Sequence, residues 1–167
     1  RVRKRNDGVL AAVNQQYRLV ILGLDGALQA SVPSPGNRFM QHPAWMEKDT
    51  ALVVTLSEPD GKSLFSYHPD SDQWNRLFSA DFDDITLPAV KGDTIFFNGT
   101  FSGIDNIYCL VLSEGEVYRV TSSRFGAFDP QISADGNTLF YSDYTAGGYN
   151  VSSLQLNKTE WKPLDEV

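Results

Sequence analysis

Residues 129–142 read Asp129-Pro130-Gln131-Ile132-Ser133-Ala134-Asp135-Gly136-Asn137-Thr138-Leu139-Phe140-Tyr141-Ser142. A proline leads a short extended stretch, an Asp-Gly pair interrupts it, and an apolar run follows. A tight hairpin needs positive φ, which Gly supplies cheaply and Asp tolerates. The stretch therefore predicts two antiparallel strands joined at Asp135-Gly136, with both turn residues structural.

The same order occurs twice upstream. His42-Pro43-Ala44-Trp45 precedes Asp49-Thr50-Ala51-Leu52-Val53-Val54, and Leu87-Pro88-Ala89-Val90 precedes Asp93-Thr94-Ile95-Phe96-Phe97. Thr50, Thr94 and Thr138 recur every 44 residues, and Phe39, Phe82 and Phe125 every 43. After each Thr-led strand come a Gly/Asn/Asp/Pro-rich break, a third apolar stretch, a second break and a fourth stretch. In the last unit the fourth strand is expected at 161–164. Four short strands per repeat of this length is the signature of a β-propeller blade. The near-continuous apolar runs at 52–56 and 95–97 are what strands buried on both faces look like.

A weaker unit comes first, with strands expected at 9–13, 17–22 and 27–31 and a hairpin at Asp25-Gly26. Its first strand is missing or lies within 1–5. The fold class is thus all-β: a β-propeller region of about four consecutive four-stranded blades. The units run 1–38 (incomplete), 39–81, 82–124 and 125–167. An open run of blades leaves strand edges unpaired. The chain is therefore expected to belong to a larger propeller or to be completed by another chain, with self-association through the open edges. That the sequence starts at Arg1 rather than Met agrees with a processed or excised piece.

The 14 basic and 21 acidic residues give a net charge of −7, and such a field repels polyanions, so nucleic acid is not an expected partner. The basic cluster Arg1, Arg3, Lys4 and Arg5 reads as a solvated end or an interrupted strand. The longest apolar stretch, 19–24, is far short of a membrane span. Cys109 is the only cysteine; it can form neither an internal disulfide nor a thiolate metal site and reads as a buried small hydrophobe.

The 129–142 stretch resembles the TolB-like β-propeller repeat, a Pro-led strand, a Ser-Pro-Asp-Gly turn and an apolar strand, with Ala134 standing where the turn proline usually is. Asn106-Ile107-Tyr108 and, less closely, Tyr149-Asn150-Val151 resemble the family's Asn/Asp-Ile-Tyr strand. The likeness covers about 125 residues from Pro43 onward. It implies a propeller in a periplasmic, envelope or otherwise exported bacterial protein. It also implies relatives that serve as gating domains of serine peptidases. Ser133–Leu139 is one residue short of a sialidase-type Asp repeat and lacks its tryptophan.

No catalytic constellation emerges. There is no Gly-x-Ser-x-Gly elbow and no phosphate-cradling glycine loop. Asp81, Asp83 and Asp84 lack the glycine and distal glutamate of a calcium loop and read as a solvated acidic turn. His42 and His68 have no metal-type partner three or four residues away. Three Asn-x-Ser/Thr triplets, at Asn98, Asn150 and Asn157, need no functional reading. No metal, cofactor or catalytic residue is expected. The loops ahead of the Pro-led strands carry the best contact residues: Arg38, Asp83, Arg124 and Phe125 as ligand-binding candidates. The repeated phenylalanines are otherwise expected to pack between blades. The leading expectation is a non-catalytic module that binds a protein or glycan. Its rivals are the accessory propeller of a peptidase whose catalytic domain lies elsewhere, and a glycan-active propeller.

Overall fold

The apolar runs form strands and the Gly/Asp/Asn breaks form their turns. In a computed structural model, which describes residues 3–4, 9–46 and 50–167, four antiparallel sheets follow one another along the chain. The side chains of 3–4, Arg1 and Arg5 of the basic cluster and the repeat position Asp49 lie outside the described residues. The chain divides into two compact units, Arg1–Phe82 and Asp83–Val167. No helix among the described residues is long and apolar enough to cross a membrane.

The first unit holds β1 (Arg3–Lys4), β2 (Leu10–Val13), β3 (Arg18–Leu22) and β4 (Leu28–Pro33) in one sheet. A second sheet holds β5 (Met40–Trp45), β6 (Leu52–Glu58), β7 (Gly61–His68) and β8 (Gln73–Ser79), each strand pairing with the next. The first strand of the weak unit does lie at the basic terminus, where Arg3 pairs with Ala11. Residues 14–17 form a turn: the Asn14 side chain accepts the Gln16 and Arg18 N–H groups at 3.0 Å. One face of β6 (Leu52, Val54, Leu56) packs with Ala11, Leu19, Ile21 and Met40. Leu19, Leu52, Val54 and Leu56 are fully buried, and each such side chain contributes about 1.5–3 kcal/mol of transfer energy. Val53 and Thr55 on the opposite face are buried as well, which explains the unbroken apolar run.

The second unit holds β9 (Ile85–Lys91), β10 (Thr94–Gly99), β11 (Asn106–Val111) and β12 (Glu116–Arg119) in one sheet, and β13 (Ala127–Ile132), β14 (Thr138–Thr145) and β15 (Gly148–Gln155) in the other. Phe96, Ile107 and Cys109 of the former share a core with Ala127 and Leu139 of the latter. Here one expectation fails. The segment at 161–164 does not close the last sheet: β16 (Lys162–Pro163) adds to the outer edge of β12, Arg119 opposite Lys162. The reason is aromatic burial. Trp161 sets its ring against Phe96 and Tyr118, with centroids 6.1 and 6.2 Å apart, and joins the shared core. Even a partly buried tryptophan offsets the few ladder bonds that pairing beside β15 would supply.

The repeated prolines mark a repeated irregularity. In β5, β9 and β13 the register slips at His42-Pro43, Leu87-Pro88 and Asp129-Pro130, so that two residues oppose one, Val54, Phe97 or Tyr141. His42, Leu87 and Asp129 have φ of 52°, 56° and 60°. A bulge suits proline, which has no N–H to give a ladder. A non-glycine residue held at positive φ ahead of a proline is strained, by about 1–3 kcal/mol. The bulge therefore has to be fixed by its surroundings.

Candidate binding cleft

The connection from β12 to β13 is held rigid at its base. The buried Thr121 hydroxyl donates to Asn106 Oδ1 and accepts the Ile107 N–H, both at 2.9 Å. Asn106 Oδ1 also accepts the Ser123 N–H at 2.8 Å. The Ser123 hydroxyl donates to Asp143 Oδ1 at 2.8 Å and accepts the Gly126 N–H at 3.2 Å. The Tyr144 N–H donates to the Gly126 carbonyl at 2.8 Å, fastening the end of β14 to the loop. Ser122, Arg124 and Phe125, the residues these bonds leave outward, are exposed.

Between this loop and the end of β14 lies a cleft of about 340 Å³, lined by Thr121–Phe125, Tyr141 and Asp143–Thr145. The Arg124 guanidinium lies 5.3 Å from the centre of the Phe125 ring, within cation–π range. Among the described residues Arg124 enters no ion pair. Phe125 and Tyr144 are 49% and 42% exposed. The Tyr141 hydroxyl is pushed above its ordinary pKa, first by burial and then by the Asp143 charge, so it stays a neutral hydrogen-bonding group. A guanidinium, two phenols, a phenyl ring and a carboxylate line the cleft. No histidine or cysteine stands among the lining residues. No three His, Cys, Asp or Glu among the described residues are grouped so as to hold a metal ion.

Of the four residues singled out from sequence, Arg124 and Phe125 meet in this cleft. Asp83 does not line it; its carboxylate accepts the Thr100 hydroxyl at 3.2 Å, in the turn before β9. Arg38 is in the first unit, where its Nη1 donates to Glu58, a carboxylate also held by Arg76 at 2.6 Å and by Ser63 at 2.6 Å. Arg38, Asp83 and Phe125 nevertheless share one position: each stands five residues ahead of its bulge proline. The phenylalanines do not. Phe39, Phe82 and Phe125 precede their prolines by four, six and five residues, so their even spacing is not structural equivalence. The expected packing fails most plainly for Phe82, which is 88% exposed, while Phe39 meets the Tyr17 ring at 4.7 Å. Side-chain direction follows the offset from the bulge, not the count between phenylalanines.

Tyr141, Asp143 and Tyr144 were not legible as cleft residues, because their role depends on the Gly126–Tyr144 bond between separate segments. The one available signal was Asp143, a carboxylate continuing the inward alternation of Leu139 and Tyr141.

No family model matches the chain. Over 59 residues it is 36% identical to a protein named TolB homologue from Chlorobium luteolum, covering 35% of this chain and 14% of that protein. In fold it is similar to TolB from Acinetobacter baumannii, with TM-score 0.70 and 16% identity over 93% of this chain and 39% of that one. It is similar also to the tricorn protease, with TM-score 0.73 and 16% identity over 97% of this chain and 16% of that one. The chain thus spans well under half the length of each of these three proteins.

Proposed function

Given that the chain is a run of TolB-like β-propeller repeats, we propose that it is a non-catalytic binding module of an exported or envelope bacterial protein, with the Arg124 cleft as its contact surface for a protein partner. The observation that supports this most is Arg124 stacked on Phe125 beside Tyr144, on a loop already fixed by Asn106, Thr121 and Asp143. Arginine and tyrosine are the side chains in which binding energy concentrates, and a pre-ordered loop loses little entropy on contact. The exported setting rests on the family resemblance.

Amide NMR titration with two probe sets, short aromatic-containing peptides and oligosaccharides, tests the reading. Peptides are expected to shift the amides of 122–126 and Tyr144, and Arg124→Ala to weaken that binding by about 10-fold or more. Saccharides shifting the same amides in place of peptides make the module a glycan binder. Silence of these amides toward both sets removes the cleft as the contact surface.

A second reading, the accessory propeller of a peptidase, draws on the fold likeness to the tricorn protease. A peptidase domain encoded on the same polypeptide is the observation that favours it over the first.

A further inference from the structure

Two guanidinium groups of the first unit converge on one oxygen atom. Arg38 Nη1 and Arg76 Nη2 both donate to Glu58 Oε1, while the Ser63 hydroxyl donates to Oε2 at 2.6 Å. The Glu58 side chain is only 2% exposed, so the carboxylate forms the buried base of the group. The cations above it are not covered: the side chains of Arg38 and Arg76 are 39% and 51% exposed. Each is held in place. The Arg76 guanidinium lies 5.7 Å from the centre of the Phe65 ring. The Arg38 side chain runs back along Gly36, where a Cβ would stand 3.5 Å from Nε. Two donors in reach of one oxygen are no more than about 6 Å apart, a gap that one carboxylate spans.

The group holds one cation more than its carboxylate needs. Lys158 and Glu114 pair one to one, but here two cations share Glu58, which leaves a local charge of +1. Among the described residues neither arginine pairs with a second carboxylate. A guanidinium has five N–H donors, and each of these gives one to Glu58. We infer that Arg38 and Arg76 form a binding site for a carboxylate group of a ligand, with Glu58 as the buried anion that sets the two forks side by side. Planar guanidiniums match a carboxylate with paired, charge-assisted bonds. The charge balance selects the class. A monoanion brings the group to neutrality, whereas a dianionic phosphate adds an excess negative charge to a chain already at −7. The inference does not rest on the Arg124 cleft, which belongs to the second unit.

NMR of the arginine Nε–H groups on the intact chain tests it, at neutral pH and at an ionic strength held constant with chloride. The probes are acetate, inorganic phosphate, and capped Gly-Gly-Asp-Gly-Gly with its Asn counterpart. The Arg38 and Arg76 signals are expected to shift together and saturably with acetate or the Asp peptide, and more weakly with phosphate. Arg76→Lys keeps the charge but loses the fork, and should weaken that binding by about 10-fold or more, read at Arg38. Arg38→Lys, outside any strand, gives the same comparison read at Arg76 should the first variant disturb the amide spectrum. Tighter binding of the Asp peptide than of acetate assigns the site to a side chain of a protein; the reverse order assigns it to a free small acid. Signals that follow only the chloride control overturn the inference, as do equal shifts with the Asn peptide. So do phosphate binding more tightly than acetate and a lysine variant that binds as well as the parent.

Discussion

Asn98, from β10, grips the backbone on both sides of Phe128 in β13. Its Oδ1 accepts the Asp129 N–H at 2.9 Å and its Nδ2 donates to the Ala127 carbonyl at 3.0 Å. Asn98 is buried, so these bonds join two sheets and hold the bulge at Asp129 in its left-handed conformation. Asn98→Leu keeps the volume and removes both bonds from the buried side of the bulge. The expected cost is about 2–4 kcal/mol, read as a lowered urea midpoint with an unchanged slope.

Glu58 ties stability to pH. Burial alone would raise its carboxyl pKa, but the hydrogen bonds from Ser63 and Arg76 and the charges of Arg76 and Arg38 hold it below the ordinary value. A carboxyl depressed in the folded state adds stability above its unfolded pKa of about 4.3 and loses it as pH falls through the folded value. Glu58→Gln should therefore cost about 1–2 kcal/mol near neutrality. The difference between the two proteins should shrink below about pH 4. Urea titrations at a series of pH values measure this; a gap that widens on acidification refutes it.

Gly61 and Gly26 both lie at positive φ, 128° and 80°, yet their surroundings differ. A Cβ on Gly61 would stand 1.4 Å from the Asp81 carbonyl oxygen, whereas one on Gly26 meets nothing within 4 Å. Gly26→Ala should cost about 1 kcal/mol of backbone strain. Gly61→Ala adds a collision with main chain and should cost about 3 kcal/mol or more. Thermal melts of the two variants should differ plainly; equal melting temperatures would contradict the close approach.

Cys109 is fully buried, and burial pushes its thiol up to about 12. The thiolate is the reactive form. A disulfide reagent at mildly alkaline pH should therefore leave the native protein unlabelled and label it completely in concentrated guanidinium. Rapid native labelling would mean that the shared core opens.

The repeat, the turns and the sheet order were legible because each is local: period, Asp-Gly chemistry and apolar runs lie within a few tens of residues. Trp161 was misplaced because period alone put its segment beside β15. What decided its position was a core formed by Phe96 and Tyr118, some 40 to 65 residues away. Arg124 and Phe125 were legible as exposed loop residues. Their cleft partners Tyr141, Asp143 and Tyr144 were not, since only the folded register brings them to the loop. Phe82 shows the opposite error, in which an even spacing was taken for equivalence although the loops before each proline differ in length.

The three bulges carry a histidine, a leucine and an aspartate at one and the same backbone position. Three such unlike side chains mean that the kink is set by the proline and by the groups that hold its main chain, as Asn98 does at Asp129, not by the residue that occupies it. That makes the position an interchangeable slot: a place where the polypeptide can be given a new chemical character, one blade at a time, while the scaffold keeps its shape.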